Sequence, residues 1–254
     1  MELITSTSNP RVSYARKLAR KRVRDAESAF LVEGPAGVSA ALDAGLGLVD
    51  VFATDAALMP EGGGGLVVSD AVMEAISDAE SPQGIVAVFR TPAEDPSRAL
   101  GDLMLVLDQM RDPGNMGTLI RSAHAAGASS VLLTPGCVDP YGPKVVRSSA
   151  GALFAIDVRR NMQMREISAL IKGAGASLVG AAASASADLY DTDLTKAVAL
   201  VVGNEAWGFS EGTAELLDET VAIPMPGPME SLNAAVAGSL LLFEAVRQRR
   251  KPSS

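Results

Sequence analysis

Polar side chains collect in four loops that each follow an apolar run, and these loops contain residue types that bind and activate ligands. The first comprises residues 112–117, with Arg121 in the helix that follows, and the second comprises residues 147–151. The third comprises residues 203–208, and the fourth comprises residues 231–233 at the start of the last helix. Glycines let backbone and ligand approach closely, and the free N–H groups of a helix start favour an anionic or carboxylate ligand.

Each loop taken alone also has a structural explanation. Asn115 and Ser231 could cap helices, Glu205 could pair with a surface arginine, and Gly203 and Gly208 could be turn glycines. Four such loops after four strands of one sheet favour a ligand site instead, because the carboxyl ends of parallel strands meet at one edge.

The sequence disfavours several other kinds of site. No G-x-G-x-x-G run follows a strand and no G-K-[ST] loop occurs, so a dinucleotide or phosphate-loop site is disfavoured. The chain has one cysteine, Cys137, and one histidine, His124, so an internal disulfide and a Cys/His metal cage are impossible and no metal is expected. No apolar run is long enough to span a bilayer, and we expect a soluble cytoplasmic protein.

Charge is unevenly distributed in this chain of 254 residues with a net charge of -8. The acidic balance argues against nucleic-acid binding by the whole surface but leaves room for a local basic patch. Residues 11–24 hold seven cations and no acid, namely Arg11, Arg16, Lys17, Arg20, Lys21, Arg22 and Arg24. Asn9 and Pro10 predict the start of one helix, on which Arg16 and Arg20 repel each other, as do Lys17 and Lys21. The patch is either a phosphate-binding face or a solvated basic helix.

Alternating strands and helices predict two α/β units. The first has predicted strands at 30–32, 48–53, 66–68 and 85–89, helices at 36–44 and 70–77, and a flexible surface loop at 60–65. Residues 91–97, with two prolines, are the predicted linker. The second has predicted strands at 103–107, 131–133, 154–158, 178–183, 197–202 and 220–223, and helices at 117–126, 144–149, 164–172 and 232–249. This order predicts a mainly parallel sheet with right-handed crossovers.

The last predicted helix is amphipathic. Leu232, Val236, Leu240 and Phe243 recur at helical spacing and are expected to form its buried face. Its cationic end suits a helix C-terminus and consists of Arg247, Arg249, Arg250 and Lys251. A role of this helix in RNA contact or in a dimer interface is the alternative.

Three runs in the second unit resemble the motifs of one enzyme family. DPGNMGTLIRSA at residues 112–123 resembles the first motif of the SpoU (TrmH-type) RNA 2′-O-ribose methyltransferases. VGNEAWGFS at 202–210 resembles the second motif, and IPMPG at 223–227 with SLN at 231–233 resembles the third. Residues 1 to about 90 resemble, more weakly, the L30e-like substrate-binding domain that precedes many such enzymes. The domains implied are 1–92, an L30e-like RNA-binding domain, and 98–254, a SpoU methyltransferase domain.

The resemblance implies a fold, a cofactor and an assembly. The fold is an α/β parallel-sheet domain whose C-terminal part is threaded into a deep trefoil knot, which connectivity rules would not suggest. The cofactor is S-adenosylmethionine, held largely by backbone groups, and by motif position the contacts come from Gly203, Ile223 and Leu232. Family members act as homodimers in which one subunit completes the site of the other.

The implied reaction is methyl transfer to a ribose 2′-hydroxyl of structured RNA, with ribosomal RNA favoured over transfer RNA. The implied catalytic residues are Asn115, Arg121, Glu205, Ser231 and Asn233. Arg121 would lie next to the attacking hydroxyl, where stabilising a developing alkoxide suits a guanidinium better than acting as the base. The expected RNA contacts are Arg11, Arg16, Lys17, Arg20, Lys21 and Arg147.

Two other functions stay open. One is a catalytically idle RNA-binding protein on the same fold, which the intact set of motif residues disfavours. The other is an α/β enzyme with a different adenine-containing cofactor, which the missing phosphate loop disfavours. The sequence leaves the RNA and the modified nucleotide undetermined.

Overall fold

The computed structural model describes residues 3–61, 64–229 and 231–250. The chain forms two compact units. The first comprises Met1–Ala93 and Asp139–Ala155, and the second comprises Glu94–Val138 and Ile156–Ser254. The segment Asp139–Ala155 therefore packs with the first unit, although it lies within the sequence range predicted for the second domain. The domain boundaries 1–92 and 98–254 stay a prediction.

Strands and helices alternate through the described ranges. The elements up to residue 90 are β1 (Leu3–Ile4), α1 (Pro10–Lys17), α2 (Lys21–Glu27), β2 (Ala29–Glu33), α3 (Pro35–Asp43), β3 (Leu48–Ala53), β4 (Leu66–Val68), α4 (Asp70–Ile76) and β5 (Ile85–Arg90). The elements after it are β6 (Leu103–Leu107), α5 (Pro113–Ala125), β7 (Ser130–Leu133), α6 (Pro143–Ser148), β8 (Asp157–Arg159), α7 (Met164–Gly173), β9 (Ser177–Ala181), β10 (Ala187–Asp188), β11 (Val198–Val202), β12 (Glu219–Ala222) and α8 (Ala234–Arg249).

The first unit is built on a five-stranded mixed sheet. Its strand order is β1-β4-β3-β5-β2, and β5 runs antiparallel to both β2 and β3, whereas β4 is parallel to β1 and β3. Apolar side chains of α1 and α4 pack on this sheet with those of its central strands, and Leu18 and Phe52 are fully buried among them. The predicted small α/β unit is confirmed. The flexible loop predicted at 60–65 includes Gly62 and Gly63, which lie outside the described residues.

The basic segment is not the single helix that the sequence predicts. The chain leaves the helical path after Lys17 and begins α2 at Lys21. Arg24 fixes this break, because its guanidinium donates to the carbonyls of Leu18 and Ala19, each at 2.8 Å. The same guanidinium forms a buried ion pair with Asp139 at 2.6 Å. The expected i, i+4 repulsions are therefore absent from α1 and α2, because Arg16 and Lys17 lie on α1, whereas Arg20 lies in the turn and Lys21 on α2.

The second unit contains a seven-stranded sheet in the order β10-β12-β9-β11-β6-β7-β8. Every strand pair described in it is parallel, which confirms the predicted parallel sheet. The side chains of the two central strands β6 and β11 are buried throughout, which explains why both read as unbroken apolar runs. All seven carboxyl ends therefore lie at one edge of the sheet.

Two elements after residue 100 begin three or more residues away from their predicted start. Helix α5 begins at Pro113, four residues earlier than predicted, because the Asp112 carboxylate accepts a hydrogen bond from the N–H of Asn115 and caps it. Residues 152–154 form a 3₁₀ turn, and the strand expected at 154–158 begins only at Asp157.

The prediction of which face of α8 is buried is wrong. Leu232, which precedes the helix, and Val236, Leu240 and Phe243 within it are 38%, 49%, 37% and 48% exposed. The buried face is instead made by small residues and two leucines, namely Ala234, Ala235, Gly238, Leu241, Leu242 and Ala245. Close packing selects the small face, because a Cβ on Gly238 would come within 2.5 Å of Leu119 in α5. Val236, Leu240 and Phe243 of α8 therefore form an exposed stripe.

The end of α8 is fastened to the chain by its own polar groups. Arg247 pairs with the buried Glu244, and the Gln248 amide donates to the carbonyl of Thr192 at 2.9 Å. Arg249 donates to the carbonyls of Leu194 and Lys196. The predicted cationic end is therefore used in intramolecular contacts, and Lys251 lies outside the described residues. Within the described ranges, none of the helices is long and apolar enough to cross a membrane.

Candidate active site at the carboxyl edge of the parallel sheet

Three side chains from three separate loops form one hydrogen-bonded group. The Asn115 amide N–H donates to the Glu205 carboxylate at 2.6 Å, and the Asn233 amide N–H donates to the Asn115 side-chain oxygen at 3.0 Å. Asn115 lies in the first turn of α5, Glu205 follows β11, and Asn233 caps α8. Asn115 is thus held to Glu205, which is 90 positions further along the chain, and to Asn233, which is 118 positions further. We call Asn115, Glu205 and Asn233 the amide relay.

The direction of every hydrogen bond in the amide relay follows from helix α8. The Asn233 side-chain oxygen accepts from the N–H groups of Ala235 and Val236, at 2.9 and 3.3 Å, which are free at the helix start. Its amide nitrogen must therefore face Asn115, whose oxygen accepts and whose own amide nitrogen is left to donate to Glu205. The result is a carboxylate fixed in place at the exposed mouth of the site.

Arg121 is not part of this group. It lies six residues beyond Asn115 on α5, which corresponds to about 9 Å along the helix axis and about 120° around it. Its side chain is exposed, and no hydrogen bond or ion pair joins it to any residue in the described ranges. Within one chain, the structure therefore brings together Asn115, Glu205 and Asn233 but leaves Arg121 apart.

The loop after β11 is rigid, and glycine is required in it. Backbone hydrogen bonds join Asn204 and Gly208 in both directions, at 2.8 and 2.9 Å. The buried Asn204 side chain donates to the Gln109 carbonyl and accepts from the N–H of Ala206, each at 2.8 Å. A Cβ on Gly203 would lie 2.6 Å from the backbone of Gly208. Any larger residue at position 203 would therefore open the loop that carries Glu205.

A cavity of about 460 Å³ lies beside the amide relay. It is lined by the predicted cofactor residues Gly203, Ile223 and Leu232, and also by Glu205 and Ser231. Its volume is within the range of small-molecule sites, roughly 300–1,000 Å³. Cofactor-sized space and the proposed catalytic carboxylate thus adjoin each other.

The backbone around the cavity has free hydrogen-bonding groups. Among the described residues, no hydrogen bond is formed by the backbone N–H or C=O of Gly203, Ile223 or Leu232. These residues are at least partly open to water rather than buried, so their backbone groups are available to a ligand with several donors and acceptors. Apolar walls supplied by side chains such as Val202 and Phe209 complete a site that fits an adenosyl group.

Sequence reasoning missed a buried polar group behind this site. Asp108, fully buried at the end of β6, accepts hydrogen bonds from the Thr134 hydroxyl at 3.0 Å and from the N–H and hydroxyl of Ser210 at 2.7 and 2.9 Å. The Thr134 oxygen in turn accepts from the N–H of Gln109, which has a positive φ of 52°. The only signal in the sequence is an acid directly after an unbroken apolar strand. We call Asp108, Thr134 and Ser210 the buried clamp.

The cations expected to contact RNA lie in the first unit and differ in their surroundings. Arg16, Lys17, Arg20 and Lys21 are exposed on α1, α2 and the turn between them, and none of them forms an ion pair within the described residues. Arg11 is held in an ion pair with the buried carboxylate of Asp50, which raises the pKa of Arg11 through a hydrogen bond.

Arg147 has acidic neighbours. It is half-exposed and lies 3.5 Å from Asp78 and 4.0 Å from Glu33. The four cations of α1, α2 and their turn therefore form the most accessible part of the predicted RNA surface, whereas Arg11 and Arg147 already have anionic partners.

The fold and the site define an α/β protein with a cofactor-sized cavity at the carboxyl edge of a parallel sheet, next to a fixed carboxylate. The chain belongs to the SpoU rRNA methylase family, whose model matches residues 102–243. Residues 9–87 match the model of the MRM3-like substrate binding domain.

The curated relatives differ in how much of the chain they span. The 23S rRNA (guanosine(2553)-2′-O)-methyltransferase RlmP of Bacillus subtilis is 33% identical over 96% of this chain and 98% of its own length. The 23S rRNA (uridine(2479)-2′-O)-methyltransferase of Streptomyces viridochromogenes is 40% identical over 71% of this chain and 66% of its own length.

Solved structures agree over the same extent. An AdoMet-bound rRNA methyltransferase from Sinorhizobium meliloti superposes with a TM-score of 0.87, at 33% identity over 98% of this chain and 99% of its own. The SpoU methyltransferase AviRb of Streptomyces viridochromogenes, in complex with AdoMet, gives a TM-score of 0.86 at 30% identity, over 95% of this chain and 98% of its own.

Proposed function

We propose that this protein methylates a ribose 2′-hydroxyl of 23S rRNA, and that the amide relay at the mouth of the cavity is the observation that carries this function. As a member of its family, the protein is an RNA 2′-O-methyltransferase that uses S-adenosylmethionine. The relatives named above act on 23S rRNA, which supports that RNA as the substrate. A ribosomal substrate would place the protein in the cytoplasm.

The cofactor is proposed to occupy the cavity of about 460 Å³. The unpaired backbone groups of Gly203, Ile223 and Leu232 would hold it, and Gly203 allows the close approach because it has no side chain. When bound, S-adenosylmethionine supplies an activated methyl group. The threaded knot around this site stays a prediction from the family resemblance.

The chain itself must orient the ribose and stabilise charge on its oxygen. The amide relay fixes the Glu205 carboxylate, which is proposed to accept a hydrogen bond from a ribose hydroxyl and hold the sugar in line. Ser231 lines the cavity with an exposed hydroxyl and is proposed to position the substrate beside it. Arg121 is proposed to stabilise negative charge that develops on the attacking 2′-oxygen, while an RNA phosphate or water takes the hydroxyl proton.

Arg121 is proposed to act in the site of a second copy of the chain. It is exposed, unpaired within the described residues and separate from the amide relay of its own chain. Helix α5, which carries it, packs against α8, where the hydroxyls of Ser122 and Ser239 are 2.8 Å apart. The exposed stripe of α8, Val236, Leu240 and Phe243, supplies an apolar face that a second copy would cover.

The homodimer can be tested by charging this stripe. We expect Leu240→Asp to convert a dimer to a monomer in size-exclusion chromatography with light scattering. Leu58→Asp is the matched control, because Leu58 is also 37% exposed but lies in the first unit. Dimers of unchanged stability in the Leu240 variant would exclude α8 as the interface.

RNA binding is proposed to use the exposed cations Arg16, Lys17, Arg20 and Lys21, with smaller contributions from Arg11 and Arg147. Phosphate contacts release counterions, so each lost contact reduces the dependence of RNA affinity on salt by about one unit of log–log slope. Arg16→Ala should therefore flatten this slope, and Arg147→Ala should do so less, because Asp78 and Glu33 already neutralise Arg147. An unchanged slope in both variants would contradict the RNA surface.

The decisive experiment has two stages. The purified protein is titrated with S-adenosylmethionine and S-adenosylhomocysteine in a calorimeter, and then given unmodified 23S rRNA transcript with tritiated cofactor. We expect micromolar binding and tritium at one ribose. Folded protein that binds rRNA but neither cofactor, with or without RNA, would be an idle RNA-binding protein instead.

The role of Arg121 has its own test. Arg121→Lys keeps the charge but loses the planar fork of donors, so we expect it to lose most turnover while cofactor affinity is unchanged. Thr118→Ala on the exposed side of the same helix is the control. Near-full activity in the lysine variant would show that charge alone suffices.

A further inference from the structure

The protein has one tryptophan, and it is exposed at the mouth of the cavity. Trp207 is 52% exposed and lines the cavity, and it lies two residues beyond Glu205 in the rigid loop 203–208. The hydrogen bonds of Asn204 to Gly208, Ala206 and Gln109 fix the backbone on both sides of it. The ring therefore presents a large flat face at the mouth of the cavity.

One cation lies over the ring. The guanidinium carbon of Arg111 is 4.7 Å from the centre of the Trp207 ring, within the range of a cation–π contact. Arg111 is exposed and forms no hydrogen bond or ion pair with any other part of the described chain. It lies four residues before Asn115, the centre of the amide relay. Both members of the pair are therefore one short loop away from the group that orients the ribose.

A flat aromatic ring with a stacked guanidinium is the chemistry that proteins use to hold an unpaired nucleotide base. Bases of single-stranded RNA stack on aromatic side chains and on arginine planes. A base is joined directly to the ribose, so it must come to rest within a few ångströms of the residues that hold that ribose. Trp207 lies two residues beyond Glu205 in the chain, and with the guanidinium of Arg111 over its ring it offers such a surface beside the proposed ribose-binding carboxylate.

The charge of Arg111 favours RNA over the cofactor as the occupant. The sulfonium of S-adenosylmethionine is cationic and would be repelled by a nearby guanidinium, whereas an RNA phosphate would be attracted. The unpaired backbone groups available to an adenosyl group belong to other residues of the cavity, Gly203, Ile223 and Leu232. We propose that Trp207, backed by Arg111, is the stacking platform for the unpaired base of the nucleotide that is methylated. This inference rests on the proposed function.

Substitutions at position 207 separate stacking from apolar contact. Trp207→Leu keeps an apolar side chain but removes the ring, so we expect kcat/KM for unmodified 23S rRNA transcript to fall by about 10- to 100-fold, mainly through KM. Trp207→Phe keeps a ring and should retain activity within about threefold. The matched control is Tyr190→Ala, because Tyr190 is 51% exposed and does not line the cavity. Arg111→Ala should show a smaller, salt-dependent loss.

Fluorescence gives a second, independent readout, because all tryptophan emission comes from Trp207. Unmodified 23S rRNA transcript, added in the presence of S-adenosylhomocysteine, should quench this emission and protect it from iodide. S-adenosylhomocysteine alone should change it little. Calorimetric affinity for S-adenosylhomocysteine should be the same in wild type and Trp207→Leu.

The outcomes are distinguishable from failure of the proposed function. If wild type transfers methyl to rRNA but Trp207→Leu does so with unchanged KM and kcat, the stacking platform is wrong and the function stands. If Trp207→Leu loses affinity for S-adenosylhomocysteine as much as it loses kcat/KM for rRNA, Trp207 is a wall of the cofactor site instead. Quenching of Trp207 emission by S-adenosylhomocysteine alone would lead to the same conclusion. If wild type transfers no methyl to rRNA, the proposed function itself fails.

Discussion

Two polar clusters lie at the carboxyl edge of the parallel sheet, and they differ in their access to water. In the buried clamp, the Asp108 carboxylate is fully buried and receives three hydrogen bonds from Thr134 and Ser210. In the amide relay, Asn115, Glu205 and Asn233 are hydrogen-bonded to one another but remain open to solvent at the mouth of the cavity. Both clusters join distant loops, so hydrogen bonding alone does not reveal which of them serves chemistry.

Burial decides between the two roles. A carboxylate without access to water is stable only if its partners stay in place, so the buried clamp holds the loops together. An exposed carboxylate held by a directed chain of amides keeps a free face toward a substrate. We therefore expect substitutions in the clamp to reduce stability and those in the relay to reduce activity.

Loss of the Asp108 carboxylate should have the largest effect. Asp108→Ala would leave the N–H of Ser210 and the hydroxyl of Thr134 without their acceptor, which should lower the free energy of unfolding by about 3 kcal/mol or more. Urea denaturation measures this change. Asp112→Ala is the control, since Asp112 is exposed and caps α5, so its loss should cost only about 1 kcal/mol. If the free energy of unfolding fell by a similar amount in both variants, the buried clamp would stabilise the fold no more than an exposed helix cap does.

The thiol beside the buried clamp should be protected from reaction. Burial raises the pKa of Cys137 from its ordinary value to about 11. Since the thiolate is the reactive form, alkylation by iodoacetamide at pH 8 should be roughly 100-fold slower in the native protein than in urea. Stability should also fall as the pH rises toward 11, because the unfolded chain releases this proton at a lower pH. Equal alkylation rates in both states would show that water reaches the clamp region.

Loss of the central amide of the relay should reduce activity and leave the fold intact. Asn115→Ala removes both the donor to Glu205 and the acceptor for Asn233, so kcat/KM for rRNA should fall by about 10- to 100-fold. The free energy of unfolding should change by less than about 1 kcal/mol, because the site is partly exposed. On the same preparation, tritium transfer measures kcat/KM and urea denaturation measures the free energy of unfolding. A loss of stability equal to that of Asp108→Ala would assign Asn115 to the scaffold.

The smallest effect is expected from Asn233→Asp. The carboxylate can still cap α8, so the free energy of unfolding should stay within about 0.5 kcal/mol of wild type. It cannot donate to the Asn115 oxygen, so kcat/KM should fall by about two- to tenfold. Asn233→Ala loses the cap as well and should be less stable by about 1 kcal/mol. Full activity in the aspartate variant would show that the direction of the relay is unimportant.

The local pattern of the sequence was sufficient for most of the fold. The apolar run 103–107 and the strand 48–53 have the bounds predicted, because mostly buried strands leave apolar runs that end at polar residues or glycine. The three runs that resemble the family motifs contain Asn115, Glu205 and Asn233, but the hydrogen bonds that join these residues are seen only in the structure. Strand bounds and motif runs depend on residues that are close together in the chain.

Features that depend on distant partners could not be predicted. The basic segment breaks after Lys17 because Arg24 binds the carbonyls of the turn and Asp139, which is 115 residues away. The exposed face of α8 follows from the close approach of Gly238 to Leu119, although its spacing of large apolar residues indicates burial.

The sequence by itself determined the alternation of strands and helices, the parallel direction of the strands in the second sheet and the loops that hold polar residues. Only the tertiary structure decided which of these residues act together. Asp108, invisible to motif analysis, became a buried clamp, and Trp207, with Arg111, became an exposed surface. The physical reason is that burial and charge pairing are set by long-range packing, whereas propensity and periodicity report only on neighbours in the chain.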